Sequence, residues 1–274
     1  ALALHELPGN PDASNALLIC HANGFNGPVY RAFAAAIDAD VRVFALDFRG
    51  HGDSDTPTGE DGFAWSGMTN DVLTAIDHLH TLSFNSIHGF GHSLGGAAMI
   101  DAERQSPETF ASLMVFEPVI APQGTFDRAS PLVRSAEGRL RSFPSAEAAL
   151  MRYAARPPLG LFRADVLYDY VRHGFTEQTD GTVTLKCAPE SEAEVFRGGA
   201  QTIHLDLVAD VQANVVVAVS GDKQFAGQLA APIVEQLPNG ELIEFPTLTH
   251  FGPLQDPVGV ANTMSKIIAS AEAN

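Results

Sequence analysis

Gly91-His92-Ser93-Leu94-Gly95-Gly96 places a serine between glycines, directly after the apolar run Ser86–Phe90 and before a helix-like stretch. This is G-x-S-x-G in a strand–turn–helix setting, where the glycines let the chain turn tightly with the serine at its apex. A serine hydroxyl is a weak nucleophile at neutral pH, so it needs a base within hydrogen-bond reach and a third group that orients the base. His250 suits the base. It lies in Thr247–Pro253, just after the last apolar run, and is followed by Gln255-Asp256-Pro257 and a terminal helical pattern. His5, His78, His80, His88, His173 and His204 stand in no comparable motif and read as surface or packing residues.

The elements that must position these residues follow from hydrophobic patterning. Short apolar runs at Ala16–Cys20, Val41–Leu46, Ser86–Phe90, Leu113–Phe116, Val215–Val219 and Leu242–Phe245 read as buried strands, with a weaker edge hairpin strand around Leu2–Leu7. Helical spacing marks Val29–Ala39, Met68–Leu82, Leu94–Gln105 and Val258–Ala271. The alternation predicts a mostly parallel sheet with helices on both faces. Between Ala121 and Ala213 the strand signal fades, and amphipathic stretches such as Ala146–Tyr153 and Ala164–His173 replace it. The expected organisation is a core of residues 1–120 and 214–274 with a helical cap inserted at 121–213. Phe25, Trp65, Phe126, Phe143, Phe162 and Phe251 are candidate aromatics for lining a pocket beneath that cap.

Composition narrows the partners. The 274 residues carry 16 Lys and Arg against 33 Asp and Glu, a net charge of −17, with 45% hydrophobic residues. A nucleic-acid footprint needs the opposite sign, and an acidic surface repels anionic membranes and highly charged anionic substrates. A neutral or apolar small molecule is the expected substrate. No apolar run approaches the roughly 18 residues of a membrane-spanning helix, and the first residues lack the pattern of a signal peptide. Cys20 and Cys187 lie far apart and form no CxxC, so a reducing cytoplasm is the expected compartment. With no GxGxxG, no GxxxxGK[ST] and no HExxH, neither a cofactor nor a metal is expected; His204 and Asp206 are a pair without a wider ligand set.

HANGF at His21–Phe25, DFRGHGDSD at Asp47–Asp55, GHSLGG at Gly91–Gly96 and THFGPLQDP at Thr249–Pro257 together resemble the α/β-hydrolase fold family. That resemblance implies acyl transfer by Ser93, with an oxyanion hole formed by the backbone N–H groups of Leu94 and Asn23. The side chain of Asn23 is either a turn residue before Gly24 or a second polar contact for substrate. His21 is expected to brace its loop, and Arg49, His51 and Asp53 to lock the following one.

The third member of the triad departs from the commoner family pattern. Most members carry an aspartate three residues after a glycine that follows the penultimate strand, but Ser220-Gly221-Asp222-Lys223-Gln224 puts a glutamine there. Glu117 offers a second solution. It ends the run Leu113–Phe116 and lies 117 − 93 = 24 residues beyond the nucleophile, similar to one group of haloalkane dehalogenases. A carboxylate at a buried strand end requires a partner, so Glu117 is the expected acid and Asp222 the alternative. Dehalogenation itself is not implied, because those enzymes attack with aspartate. The expected function is hydrolysis of a carboxylic ester of a small or medium substrate. A C–C hydrolase or lactonase of aromatic degradation on the same triad is the alternative, and a non-catalytic ligand receptor a third reading. Oligomeric state is left open.

Overall fold

Val, Ile, Leu and Phe dominate the sheet-forming runs, and alternate residues of each run enter two different cores. The computed structural model describes residues 1–59, 61–122, 130–198 and 203–273. The first half supplies β1 (Ala3–Leu7), β2 (Asn15–Cys20), α1 (Arg31–Ala34), β3 (Val41–Asp47), α2 (Trp65–Thr81), β4 (Ser86–His92), α3 (Leu94–Gln105) and β5 (Ser112–Phe116). There follow α4 (Pro131–Glu137), β6 (Ser142–Phe143), α5 (Ala146–Ala154), α6 (Ala164–Gly174), β7 (Phe175–Glu177), β8 (Val183–Leu185) and α7 (Pro189–Gly198). The chain closes with β9 (Val215–Ser220), α8 (Phe225–Gln236), β10 (Gly240–Phe245), α9 (Gly252–Gln255) and α10 (Pro257–Glu272).

Seven strands form one sheet in the order β1-β3-β2-β4-β5-β9-β10. Every neighbouring pair is parallel except β1 with β3. Along β2, Leu18 and Cys20 face a core built with Met68, Val72 and Leu79 of α2, Ala98 of α3 and Ile233 of α8. Leu17 and Ile19 face the other core, with Phe33 of α1 and Val260, Met264 and Ile268 of α10. This period-two division puts helices on both faces of the sheet, the α/β architecture that the strand runs imply. Among the described residues, no helix is long and apolar enough to cross a membrane.

Four local departures from the sequence reading have physical causes. β1 lies at the sheet edge, but it pairs with β3 and so makes no hairpin with β2. The stretch 29–39 yields only a 3₁₀ turn, Gly27–Tyr30, and the one-turn α1. Asn26 caps the 3₁₀ turn through Val29 N–H, and further on Ser265 Oγ of α10 takes the Asp38 N–H at 3.0 Å. Helix α8 is not legible from hydrophobic spacing because Pro232 interrupts it. Finally, the segment between β5 and β9 carries a three-stranded antiparallel sheet, β6-β8-β7, besides its helices. Strands of two or three residues are too short to leave a periodic signature.

Candidate active site

The carboxyl ends of the parallel strands carry the polar residues, the place where open α/β sheets bind ligands. β4 runs into Ser93, whose backbone sits at φ 57°, ψ −112°, a strained conformation for a residue with a side chain. Close packing holds it there. A Cβ on Gly91 would lie 2.6 Å from Gly96 Cα, and one on Gly95 would lie 2.2 Å from the Cys20 carbonyl oxygen. Only hydrogen at both positions lets the elbow turn against β2 and start α3. Ser93 N–H donates to Phe116 O at 2.9 Å, which ties the elbow to the end of β5.

His250 follows β10 on a short loop and meets Ser93 from the side. Its Nε2 lies 3.1 Å from Ser93 Oγ, and its Nδ1 lies 2.6 Å from Glu117 Oε2. With Nδ1–H donating a hydrogen bond to the carboxylate, Nε2 presents its lone pair to the serine hydroxyl, the arrangement that lets imidazole remove a proton. Glu117 stands just beyond β5 with φ 45°, and its side chain is 1% exposed. Its other oxygen, Oε1, accepts from Ser220 N–H at 2.8 Å and from the Ser220 hydroxyl. Burial alone would push this carboxyl up, but the hydrogen bond and charge of His250, together with the two Ser220 donors, outweigh it and hold Glu117 below its ordinary range.

Asp222 is exposed and makes no contact with His250; its Oδ1 lies 2.8 Å from Ser220 Oγ. Asp222, the alternative acid, thus stands one hydroxyl away from Glu117 and does not reach the histidine. Ser220 was not singled out by the sequence reading. Its position as the last residue of β9, before Gly221, is the only signal it offers.

The loop after β2 follows Cys20, whose carbonyl packs against Gly95 of the elbow. Among the described residues, the N–H groups of Asn23 and Leu94 have no protein acceptor. The Asn23 side chain is engaged: its Nδ2 donates to Glu192 O of α7 at 3.0 Å, so the amide braces the loop against the segment between β5 and β9. Gly24 has φ 81°, and a Cβ there would lie 2.9 Å from the Glu192 carboxylate. Glu192 is paired in turn with Arg139, whose guanidinium also donates to Tyr170 Oη. No sequence pattern announces that partly buried pair.

Loop bracing accounts for the remaining motif residues. His21 Nε2 accepts from Phe48 N–H at 3.1 Å while Nδ1 donates to the Ala22 carbonyl. His51 Nε2 accepts from Gly24 N–H at 3.1 Å and Nδ1 donates to Arg49 O. Burial, reinforced by neighbouring His21, pushes the His51 imidazole down to about 3. Arg49 forms a bidentate pair with Asp71 of α2, and Asp53 binds Lys186 Nζ at 2.6 Å.

The candidate aromatics divide. Phe25, Phe162 and Phe251 form one group with ring centroids 5.6–6.0 Å apart, and Phe251 lies 5.4 Å from His250. Phe143 packs elsewhere, against Tyr153 and Phe175. Trp65 belongs to the core on the α2 and α3 side, where its indole N–H donates to Val195 O at 2.7 Å. Phe126 lies outside the described residues. His5, Asp47 and Asp53 are the one group among the described residues with metal-ligand spacing, within 4.8 Å. Asp47 already accepts from Gly27 N–H, Asp53 N–H and His5 there, so an ion would have to displace internal bonds.

The chain is 31% identical over 137 residues to protein phosphatase methylesterase 1 of Bos taurus, across 49% of this chain and 35% of that protein. It therefore spans about a third of the length of that relative. The structure superposes on E-2-(acetamidomethylene)succinate hydrolase with a TM-score of 0.77 at 20% identity, covering 98% of this chain and 95% of that one. It superposes on the peroxisomal alpha-beta-hydrolase Lpx1 of Saccharomyces cerevisiae with a TM-score of 0.79 at 15% identity, covering 98% and 87%. The model of the Alpha/beta hydrolase family matches residues 17–263, a span that runs from β2 into α10 and includes the elbow, Glu117 and His250. The chain belongs to the alpha/beta hydrolase family.

Proposed function

We propose that this protein is a serine esterase that cleaves a carboxylic ester of a small or medium, neutral or apolar substrate through an acyl-enzyme. The observation that carries the reading is the unbroken line Ser93 Oγ, His250, Glu117, with contacts of 3.1 and 2.6 Å. Ser93 attacks the ester carbonyl as His250 Nε2 takes its proton, and Glu117 stabilises the imidazolium that forms. The N–H groups of Asn23 and Leu94 receive the oxyanion. His250 then delivers its proton to the departing alkoxide. In the second step it removes one from water, which attacks the acyl group, and it returns that proton to Ser93 Oγ as the acyl–serine bond breaks.

The apolar preference is supported by the Phe251 ring beside His250 and by Phe25 and Phe162 packed against it. Residues 121–213 serve as the cap in this reading, because Glu192 and Phe162 from that segment reach the Asn23 loop and the aromatic group. Ester cleavage is further supported by the methylesterase relative. The test is a substrate panel of short-chain alkyl and aryl esters, lactones and dienones, run with Ser93→Ala as the control. Turnover of simple esters, abolished in Ser93→Ala, is expected. A marked preference for lactones or dienones would overturn the ester assignment while leaving the triad intact.

A further inference from the structure

His92 is a buried imidazole one residue before the nucleophile, and the acyl-transfer mechanism gives it no task. The side chain is fully enclosed, and both ring nitrogens are occupied. Nε2 lies 2.8 Å from the backbone carbonyl oxygen of His250, and Nδ1 lies 2.7 Å from Tyr30 Oη. A carbonyl only accepts, so Nε2 must carry the proton, which leaves Nδ1 as a lone pair and makes the tyrosine hydroxyl the donor. Tyr30 Oη accepts in turn from Ala22 N–H at 3.4 Å. A one-directional chain therefore runs Ala22 N–H to Tyr30 O–H to His92 to the carbonyl of His250.

Its ends are informative. Ala22 directly precedes Asn23, whose N–H faces the oxyanion in the acyl-transfer reading. His92 is joined covalently to Ser93, and the far end holds the backbone of the base itself. His92 therefore links the loop before the oxyanion donor, the elbow and the loop of the base. Its ring also lies 5.2 Å from the His250 ring and edge-on to Phe116 and Phe251, so it has little room to shift.

We propose that His92, backed by Tyr30, is a positioning residue that fixes the main chain of His250 so that its imidazole stays in line between Ser93 and Glu117. The proposal rests on the serine-hydrolase reading above. It explains why a histidine is tolerated at a dry position: only a group that donates at one end and accepts at the other completes the chain. Burial, chiefly, holds His92 well below the ordinary histidine range, which keeps the Nδ1 lone pair available to Tyr30. The Tyr30 hydroxyl is likewise held protonated by burial.

The two ring nitrogens can be tested separately, because a glutamine amide reaches the place of Nε2 and an asparagine amide that of Nδ1. Wild type, His92→Gln, His92→Asn, His92→Phe and Tyr30→Phe are compared by kcat and KM on p-nitrophenyl acetate, by the rate of fluorophosphonate labelling at Ser93, and by melting temperature. Because a misplacement of about 1 Å costs on the order of 10²-fold, His92→Asn and His92→Phe are expected to lose roughly 30- to 100-fold in kcat and in labelling rate. Their KM should stay within about twofold if they have lost only alignment. His92→Gln, which retains the donor to the His250 carbonyl, should recover to within about fivefold of wild type, the worth of one ordinary hydrogen bond.

A His92→Gln variant as slow as His92→Phe, or a His92→Phe variant within about threefold of wild type, would overturn the proposal. If the His92 variants do not fold, Tyr30→Phe carries the test: kcat reduced about fivefold at unchanged KM supports the chain, and unchanged kcat overturns it. Absence of labelling in wild type would instead refute the serine-hydrolase reading itself.

Discussion

Lowering the pH from 7 to 4.5 challenges this protein first through its interior histidines. His51 is fully buried, and its Nε2 accepts from Gly24 N–H, a bond that only the neutral ring can make. Burial, and then the proximity of His21, depresses the imidazole from 6.5 to about 3, against smaller pulls from the Arg49 carbonyl and Asp47. Arg139 adds to the depression. The unfolded chain therefore takes up a proton near pH 6.5 that the folded chain refuses until about pH 3. Stability supplied by His51 is complete only well above pH 6.5 and falls as the pH drops through 6.5 toward 3.

One full proton corresponds to about 1.4 kcal/mol per pH unit, so between pH 6.5, where the unfolded imidazole is half protonated, and pH 4.5 His51 alone removes about 2 kcal/mol. That is a large share of a typical folding free energy of about 5–15 kcal/mol. His21 and His92 are lowered by burial and act with the same sign. His5, raised by its hydrogen bond to Asp47, acts with the opposite sign: its contribution is present in acid and lost as the pH rises through its folded value. Urea unfolding of wild type and His51→Gln at half-unit steps from pH 7.5 to 4.5 measures the term. The variant is expected to be less stable at pH 7.5 and to have a slope shallower by about 1.4 kcal/mol per unit below pH 6. Parallel curves would refute the argument.

Two further outcomes follow from the site. Glu117→Gln keeps the shape of the acid but not its charge, so kcat should fall by about 10³- to 10⁴-fold at little-changed KM, while Asp222→Asn, remote from His250, should stay within a few-fold of wild type; steady-state kinetics decides between them. Arg139→Met leaves the largely enclosed Glu192 carboxylate without its cation beside Gly24, which should cost about 1–3 kcal/mol in denaturant unfolding. Pairing it with Glu192→Met should restore most of that loss.

What the sequence disclosed and what it concealed divide along physical lines. The elbow was legible because Gly91 and Gly95 are required by contacts within a few residues of Ser93 and by the strand beside it. Helix α3 matches its expected bounds, since Leu94–Gln105 combines a fixed start with uninterrupted helical spacing. Glu117 was legible as a charged residue closing an apolar strand, which is costly without a partner. The partner of Asn23 was not, because Glu192 lies 169 residues away on α7, and long-range pairs leave no local pattern. The same holds for Arg139 with Glu192 and for Ser220, whose task is set by the strand that happens to lie next to it. Helix α8 and the short β6-β8-β7 sheet were hidden for a different reason: an internal proline and strands too brief to show a period.

The central claim is that Ser93 is an activated nucleophile. It is tested most directly by treating the protein with a fluorophosphonate probe and mapping the adduct by intact mass and peptide sequencing, with Ser93→Ala and His250→Gln alongside. The account predicts one adduct per chain, located on Ser93, absent from Ser93→Ala and formed at least 10³-fold more slowly in His250→Gln, the scale of losing a general base. A folded wild-type protein that takes up no probe, or one labelled on a residue other than Ser93, would contradict it.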